Sequence, residues 1–203
     1  PGSFTPISLF HDPEEQDPDK KYKAYGFSAL NHNRRGGSYA YSRDALEWTA
    51  DSRNPVFDPY ARTIPVVRSG KVEQIHDVVV WKYHQYYLTL YQYQRSGESM
   101  DVELAMSRDG ENFAFIQPGE QVVRRGAPGE WDSDMVAPSV PLVDENEIKL
   151  YYGGYSFKNS PWIEGQRAGG LATLRLDGFT HLQLEQARDR GSFTTIPVTR
   201  GSA

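Results

Sequence analysis

The chain has 203 residues, 38% of them hydrophobic and 24% charged, with a formal net charge of −5. That balance suits a folded chain with a sizeable core and excludes wholesale disorder, and no apolar run approaches the roughly 18 residues of a membrane-spanning helix. Acidic and basic residues are interspersed, the longest basic clusters being pairs such as Arg34-Arg35 and Arg124-Arg125, so neither a nucleic-acid-binding face nor a basic membrane-surface helix is expected.

Thirteen Tyr, 9 Phe and 4 Trp, with 18 Gly and 13 Pro, favour strands and tight turns. No cysteine is present, which removes disulfides, thiolate catalysis and Cys-ligated zinc and leaves the compartment open. The chain opens Pro1-Gly2-Ser3 with no Met and no signal-peptide core, so its natural start is expected to lie elsewhere or to be processed.

The first predicted strand is the apolar run 7–10, followed by a Tyr-rich strand at 21–26 and a third at 39–42 that ends in Ser42-Arg43-Asp44. The second unit repeats this plan: 78–81, then 86–91, then 103–107 running into Ser107-Arg108-Asp109-Gly110, with a short fourth strand at 121–123. A third unit has 135–143, broken by Pro138 and Pro141, then 148–154, then 170–176 ending in Asp177-Gly178-Phe179. The units recur about every 65 residues, and such self-similarity marks a repeat architecture. In each turn the Asp can cap backbone N–H groups ahead of it, and Gly110 and Gly178 are expected to take positive φ. The aromatics that follow, Trp48, Phe113 and Phe179, are expected to pack beneath the hairpins, and Tyr22, Tyr87 and Tyr151 to occupy matching core positions.

The fold class is therefore all-β, a β-propeller of four-stranded antiparallel blades at about 4–60, 72–123 and 130–184, with a strand or tail at 185–203. A sandwich would not explain three in-phase copies. Propellers close with four to eight blades, so missing blades or a second domain of the same protein are expected partners.

Three stretches carry a resemblance: Gly129-Glu130-Trp131-Asp132-Ser133-Asp134-Met135-Val136, then Lys149-Leu150-Tyr151-Tyr152-Gly153-Gly154, then 170–179. Together with 75–87 and 104–113 they resemble the five-bladed propellers of the glycoside hydrolase family 32/43 type, above all bacterial relatives with a family 32 N-terminal-like domain. The resemblance implies a poly- or oligosaccharide ligand and three carboxylates projecting from innermost strands into an axial funnel. This chain resembles the later blades, so all three cannot be carried over onto it.

A propeller's ligand mouth is bordered by the starts of the innermost strands, here 73–77 and 131–134. Asp77 enters a buried strand directly, where desolvation favours the protonated form and suits acid or base work; the plainer reading is an Asp at an exposed strand end. Glu73, four residues back, shares its face if the segment is extended, and His76 faces away as a packing or hydrogen-bonding residue, or one at the sugar. Asp132 and Asp134 would point the same way about 6.5–7 Å apart, near the spacing of an inverting pair. No cofactor is expected, although calcium could sit there; the plainer alternative is a solvated turn. Trp131 and Trp162 are candidate sugar-stacking aromatics. The five His show no metal-ligand spacing. The expected activity is hydrolysis of a glycosidic bond by paired carboxylates, Asp77 and Asp134 first, Glu73 and Asp132 second. The alternatives are a non-catalytic sugar-binding or scaffold propeller, or a piece that is inactive until further blades join it.

Overall fold

The computed structural model describes residues 4–31, 34–59, 73–94, 99–158, 164–181, 190 and 192–194. Trp162, and nearly all of the tail at 185–203, lie outside them. The described residues are all-β, with one short 3-10 turn at Pro18–Lys20. No helix among them is long and apolar enough to cross a membrane.

Strands β1 (Phe4–His11), β2 (Tyr22–Asn31), β3 (Arg34–Ser42) and β4 (Thr49–Ala50) form one antiparallel sheet in that order. A second set follows the same plan: β5 (Gln74–Tyr83), β6 (Tyr86–Gln94), β7 (Met100–Ser107) and β8 (Ala114–Ile116). The fourth strand falls at β8, not at 121–123. Gln117 turns the chain with φ 42°, and beyond it Val123 makes only a single bridge to Val102. The third set has β9 (Met135–Pro138), β10 (Leu142–Val143), β11 (Glu147–Tyr155) and β12 (Arg167–Arg175). Both β9 and β10 pair with β11, two pieces of one inner strand interrupted where Pro138 and Pro141 supply no N–H to the ladder.

The three four-strand sheets stack in sequence and do not merge into a sandwich, the second and third being joined by a single parallel Met100–Met135 pairing into one eight-stranded set. Tyr25, Tyr39, Phe57, Ile75, Val78 and Tyr91 fill the space between the first and second sheets. Trp81, Leu90, Val102, Val136, Ile148 and Leu150 fill that between the second and third. Innermost strands β1, β5 and β9 are neighbours, with Cα atoms approaching within 8 Å. Face-to-face sheets whose first strands share one centre are the arrangement of a propeller, here a partial one.

The repeated turns show why the sequence recurs. Asp109 accepts from the backbone N–H groups of Glu111 at 2.9 Å and Asn112 at 2.8 Å, and Asp44 does the same for Leu46 and Glu47. The left-handed position is Gly110 (φ 73°) in the second turn and Ala45 (φ 63°) in the first. In the third it is Asp177 (φ 56°), not Gly178.

Phe113 packs on Phe57 and Tyr25 of the first sheet, and Phe179 on Trp81 and Tyr83 of the second. Trp48 stays 36% exposed, because among the described residues no sheet precedes its own. Tyr151 also departs from expectation. Tyr22 pairs with Ser42 and Tyr87 with Ser107, but the hairpin between the second and third strands is six residues longer in the third unit, so Ile148 takes that place opposite Leu174. Tyr151 is left on the outer face of the third sheet, 47% exposed.

Candidate functional site

In an antiparallel blade the start of the first strand, the end of the second and the start of the third lie at one end. The pairings Gln74 with Gln94, Gln94 with Met100, Met100 with Met135, Met135 with Tyr155 and Tyr155 with Arg167 trace that end across two sheets. Glu73, His76, Asp77 and Asp134 all belong to it. The Ser-Arg-Asp turns stand at the other end.

Asp77 lies in a β-bulge. The register of β5 on β6 slips between Ile75 and Val78, so His76 and Asp77 together oppose Gln92. Ile75 and Val78 on either side are fully buried, which anchors the bulge in the apolar layer. The Asp77 carboxyl has no hydrogen-bond or ion-pair partner among the described residues, and burial raises its pKa above the ordinary aspartate value.

His76 is buried and spans two sheets. Its Nε2 lies 2.7 Å from Gln94 Oε1 and its Nδ1 3.1 Å from Arg35 Nη1. A guanidinium can only donate and the amide oxygen can only accept, so the imidazole carries its proton on Nε2 and is neutral. Burial first, then the Arg35 charge, pushes its pKa down to about 4.

Glu73 accepts a hydrogen bond from the Tyr93 hydroxyl. The bulge shifts the strand's alternation by one residue, so the shared face expected for Glu73 and Asp77 from simple extension does not hold. His76, expected to face away from the acids, stands beside Asp77 in the bulge for the same reason.

Asp134 is pinned by its backbone: its N–H donates to Tyr155 at 3.0 Å and its carbonyl accepts from Met100 at 3.1 Å. The Ser133 hydroxyl lies 3.3 Å from its carboxylate. Asp132 is not in extended chain, which corrects the expectation that it parallels Asp134. It sits in a turn closed by the Ser133 N–H to Glu130 carbonyl bond at 3.2 Å, and its buried carboxylate accepts from the Tyr152 hydroxyl at 2.9 Å. Trp131 is half-buried and stacks on Tyr152 with centroids 5.8 Å apart. Among the described residues no group of three or more His, Cys, Asp or Glu could hold a metal ion.

Arg35, Gln94 and the Asp101–Arg125 pair were not singled out from the sequence. Arg125 donates to buried Asp101 at 2.6 Å and to the Ser133 carbonyl at 3.0 Å, tying the turn before Asp134 to β7. A signal existed: Asp101 and Glu103 interrupt an otherwise apolar strand, and both are fully buried.

No protein-family model matches the sequence, and no curated protein matches it significantly. Solved structures do. A protein described as a glycoside hydrolase aligns at 15% identity and a TM-score of 0.61, over 92% of this chain and 48% of that one. The Bombyx mori GH32 beta-fructofuranosidase BmSUC1 aligns at 14% identity and a TM-score of 0.58, over 87% of this chain and 35% of its own. The family 117 glycoside hydrolase Zg3597 of Zobellia galactanivorans aligns at 18% identity and a TM-score of 0.55, over 75% and 48%. The chain thus has the propeller fold of the family 32-like glycoside hydrolases and spans about half the length, or less, of the structures it matches.

Proposed function

We propose that this chain forms part of the mouth of a glycoside hydrolase acting on poly- or oligosaccharides. The observation that carries the reading is Asp77, a carboxyl with no described partner, held by a bulge on the innermost strand of the middle sheet and biased by burial toward its protonated form. Asp77 donates a proton to the glycosidic oxygen as the bond to the anomeric carbon breaks. Asp134 accepts the proton of the attacking water, so both protons are accounted for. Glu73 and Asp132 are second choices, each already accepting a tyrosine hydroxyl. Trp131 is assigned to sugar contact, as is Trp162, which lies outside the described residues; His76, with both ring nitrogens engaged, holds its neighbours in place.

Further blades of the same protein complete the funnel. Supporting this, Trp48 is exposed where its counterparts Phe113 and Phe179 plug into a neighbouring sheet, and Leu142, Tyr151 and Leu171 leave the third sheet's outer face apolar and open.

Release of reducing ends from a panel of polysaccharides, with wild type and Asp77→Asn compared on this chain and on its full-length parent, tests the reading. Hydrolysis by the parent that falls at least about 100-fold in Asp77→Asn is expected. Sugar binding without hydrolysis, unchanged by the substitution, would make the protein a binding module instead.

A further inference from the structure

Charge is distributed unevenly between the two ends of the sheets. At the turn end, cations meet carboxylates: Lys20 with Glu111, Lys23 with Glu15, Arg43 with Asp19, Arg53 with Asp51 and Glu111, Lys82 with Asp12 and Glu14. At the mouth end two guanidinium groups have no carboxylate partner among the described residues. Arg35 is the second residue of the third strand of the first sheet, and Arg167 begins the third strand of the third. Each lies over an aromatic ring, Arg35 over Phe27 at 5.5 Å and Arg167 over Phe157 at 5.2 Å.

Arg35 is the more telling of the two, because it reaches across to the innermost strand of the next sheet. One of its N–H groups goes to His76 Nδ1 at 3.1 Å. The imidazole is itself fixed by Gln94, so a neutral, rigid acceptor orients the guanidinium without cancelling its charge. The side chain is exposed, and a guanidinium has five N–H donors in a planar fork that matches carboxylate and sulfate oxygens in pairs. Stacking on Phe27 further limits its freedom, which lowers the entropy lost on engaging a ligand. The group stands one residue from Asp77 by way of His76.

We infer that the mouth takes an anionic saccharide, a sugar bearing a carboxylate or a sulfate ester, and that Arg35 binds its anionic group beside Asp77. A chain of net charge −5 with acidic residues at its mouth repels such a ligand unless a positioned cation offsets them, and Arg35 is that cation. This inference rests on the saccharide reading above and narrows it to one substrate class.

Isothermal titration of the whole chain with galacto-, gluco- and manno-trisaccharides, each in neutral, uronate and 6-sulfated form, tests it. Wild type is expected to bind at least one charged form about tenfold or more tighter than its neutral counterpart, with the preference weakening as salt is raised. Arg35→Ala is expected to abolish the preference and Arg35→Lys to keep part of it, near-UV circular dichroism confirming that both fold. Whether the uronate or the sulfated form gains identifies the anion. Equal binding of neutral and charged forms, or a preference that survives Arg35→Ala, would overturn the inference while leaving the saccharide reading in place. If no trisaccharide binds in any form, to this chain or to its full-length parent, both fall.

Discussion

Trp131 lies stacked on Tyr152, their planes 17° apart, directly above the backbone of Gly154. A Cβ built on Gly154 would stand 2.2 Å from the indole and 2.5 Å from the Asp132 Cβ. The glycine is what lets the turn at 130–133 close onto β11, and with it the backbone that leads to Asp134. Gly154→Ala is therefore expected to destabilise the chain by about 1–3 kcal/mol through overpacking, read as a lower urea midpoint. An unchanged midpoint would mean that the turn is not seated on β11.

His76 makes stability depend on pH. Its folded pKa of about 4 lies below the ordinary 6.5, so between those values the unfolded chain binds a proton that the folded chain refuses. Stability is fully present above about pH 6.5 and declines as the pH falls toward 4, by about 3 kcal/mol from this group. His76→Gln, which carries no titratable proton, should flatten that part of the curve in urea titrations at successive pH values.

Asp77 works in the opposite sense. Its folded pKa is raised by burial, so its contribution is favourable at low pH and is lost as the pH rises through the folded value. Asp77→Asn replaces a carboxyl whose charged form burial disfavours and should raise the thermal midpoint at neutral pH by roughly a few degrees, while hydrolysis falls. Gain of stability with loss of activity is the mark of a group held for chemistry. A lower midpoint would point to a structural role.

Lys23 is fully buried between the first two sheets, its Nζ 2.7 Å from the Glu15 carboxylate and near the rings of Tyr39 and Tyr87. Removing one partner leaves a buried charge unpaired, so Glu15→Gln should cost about 3 kcal/mol. Replacing both, as Lys23→Met with Glu15→Gln, should recover most of that loss. A double-mutant cycle by chemical unfolding measures the coupling.

The repeat was legible because turn chemistry is local. Ser42, Asp44, Ser107 and Asp109 act within two or three residues of themselves, so their spacing reports the hairpins without knowledge of the rest. What escaped the sequence depends on register. A single extra residue at His76-Asp77 reverses the alternation that related Glu73 to Asp77. The longer hairpin of the third unit likewise moved Tyr151 from core to surface. Arg35 was invisible for a different reason: its partner is 41 positions away on another sheet, and only the stacking of blades brings the two together. Asp77 stood out because a carboxylate before Val78, Val79 and Val80 is unusual enough to be noticed in one sequence.

The most direct measurement is a carbon-13 NMR titration of the Asp77 side-chain carboxyl in the intact chain, assigned by its disappearance in Asp77→Asn. A midpoint clearly above the ordinary aspartate value of about 3.9 is the predicted result, since burial with no partner among the described residues favours the neutral acid. A midpoint at or below that value would contradict the assignment of Asp77 as the proton donor of the mouth.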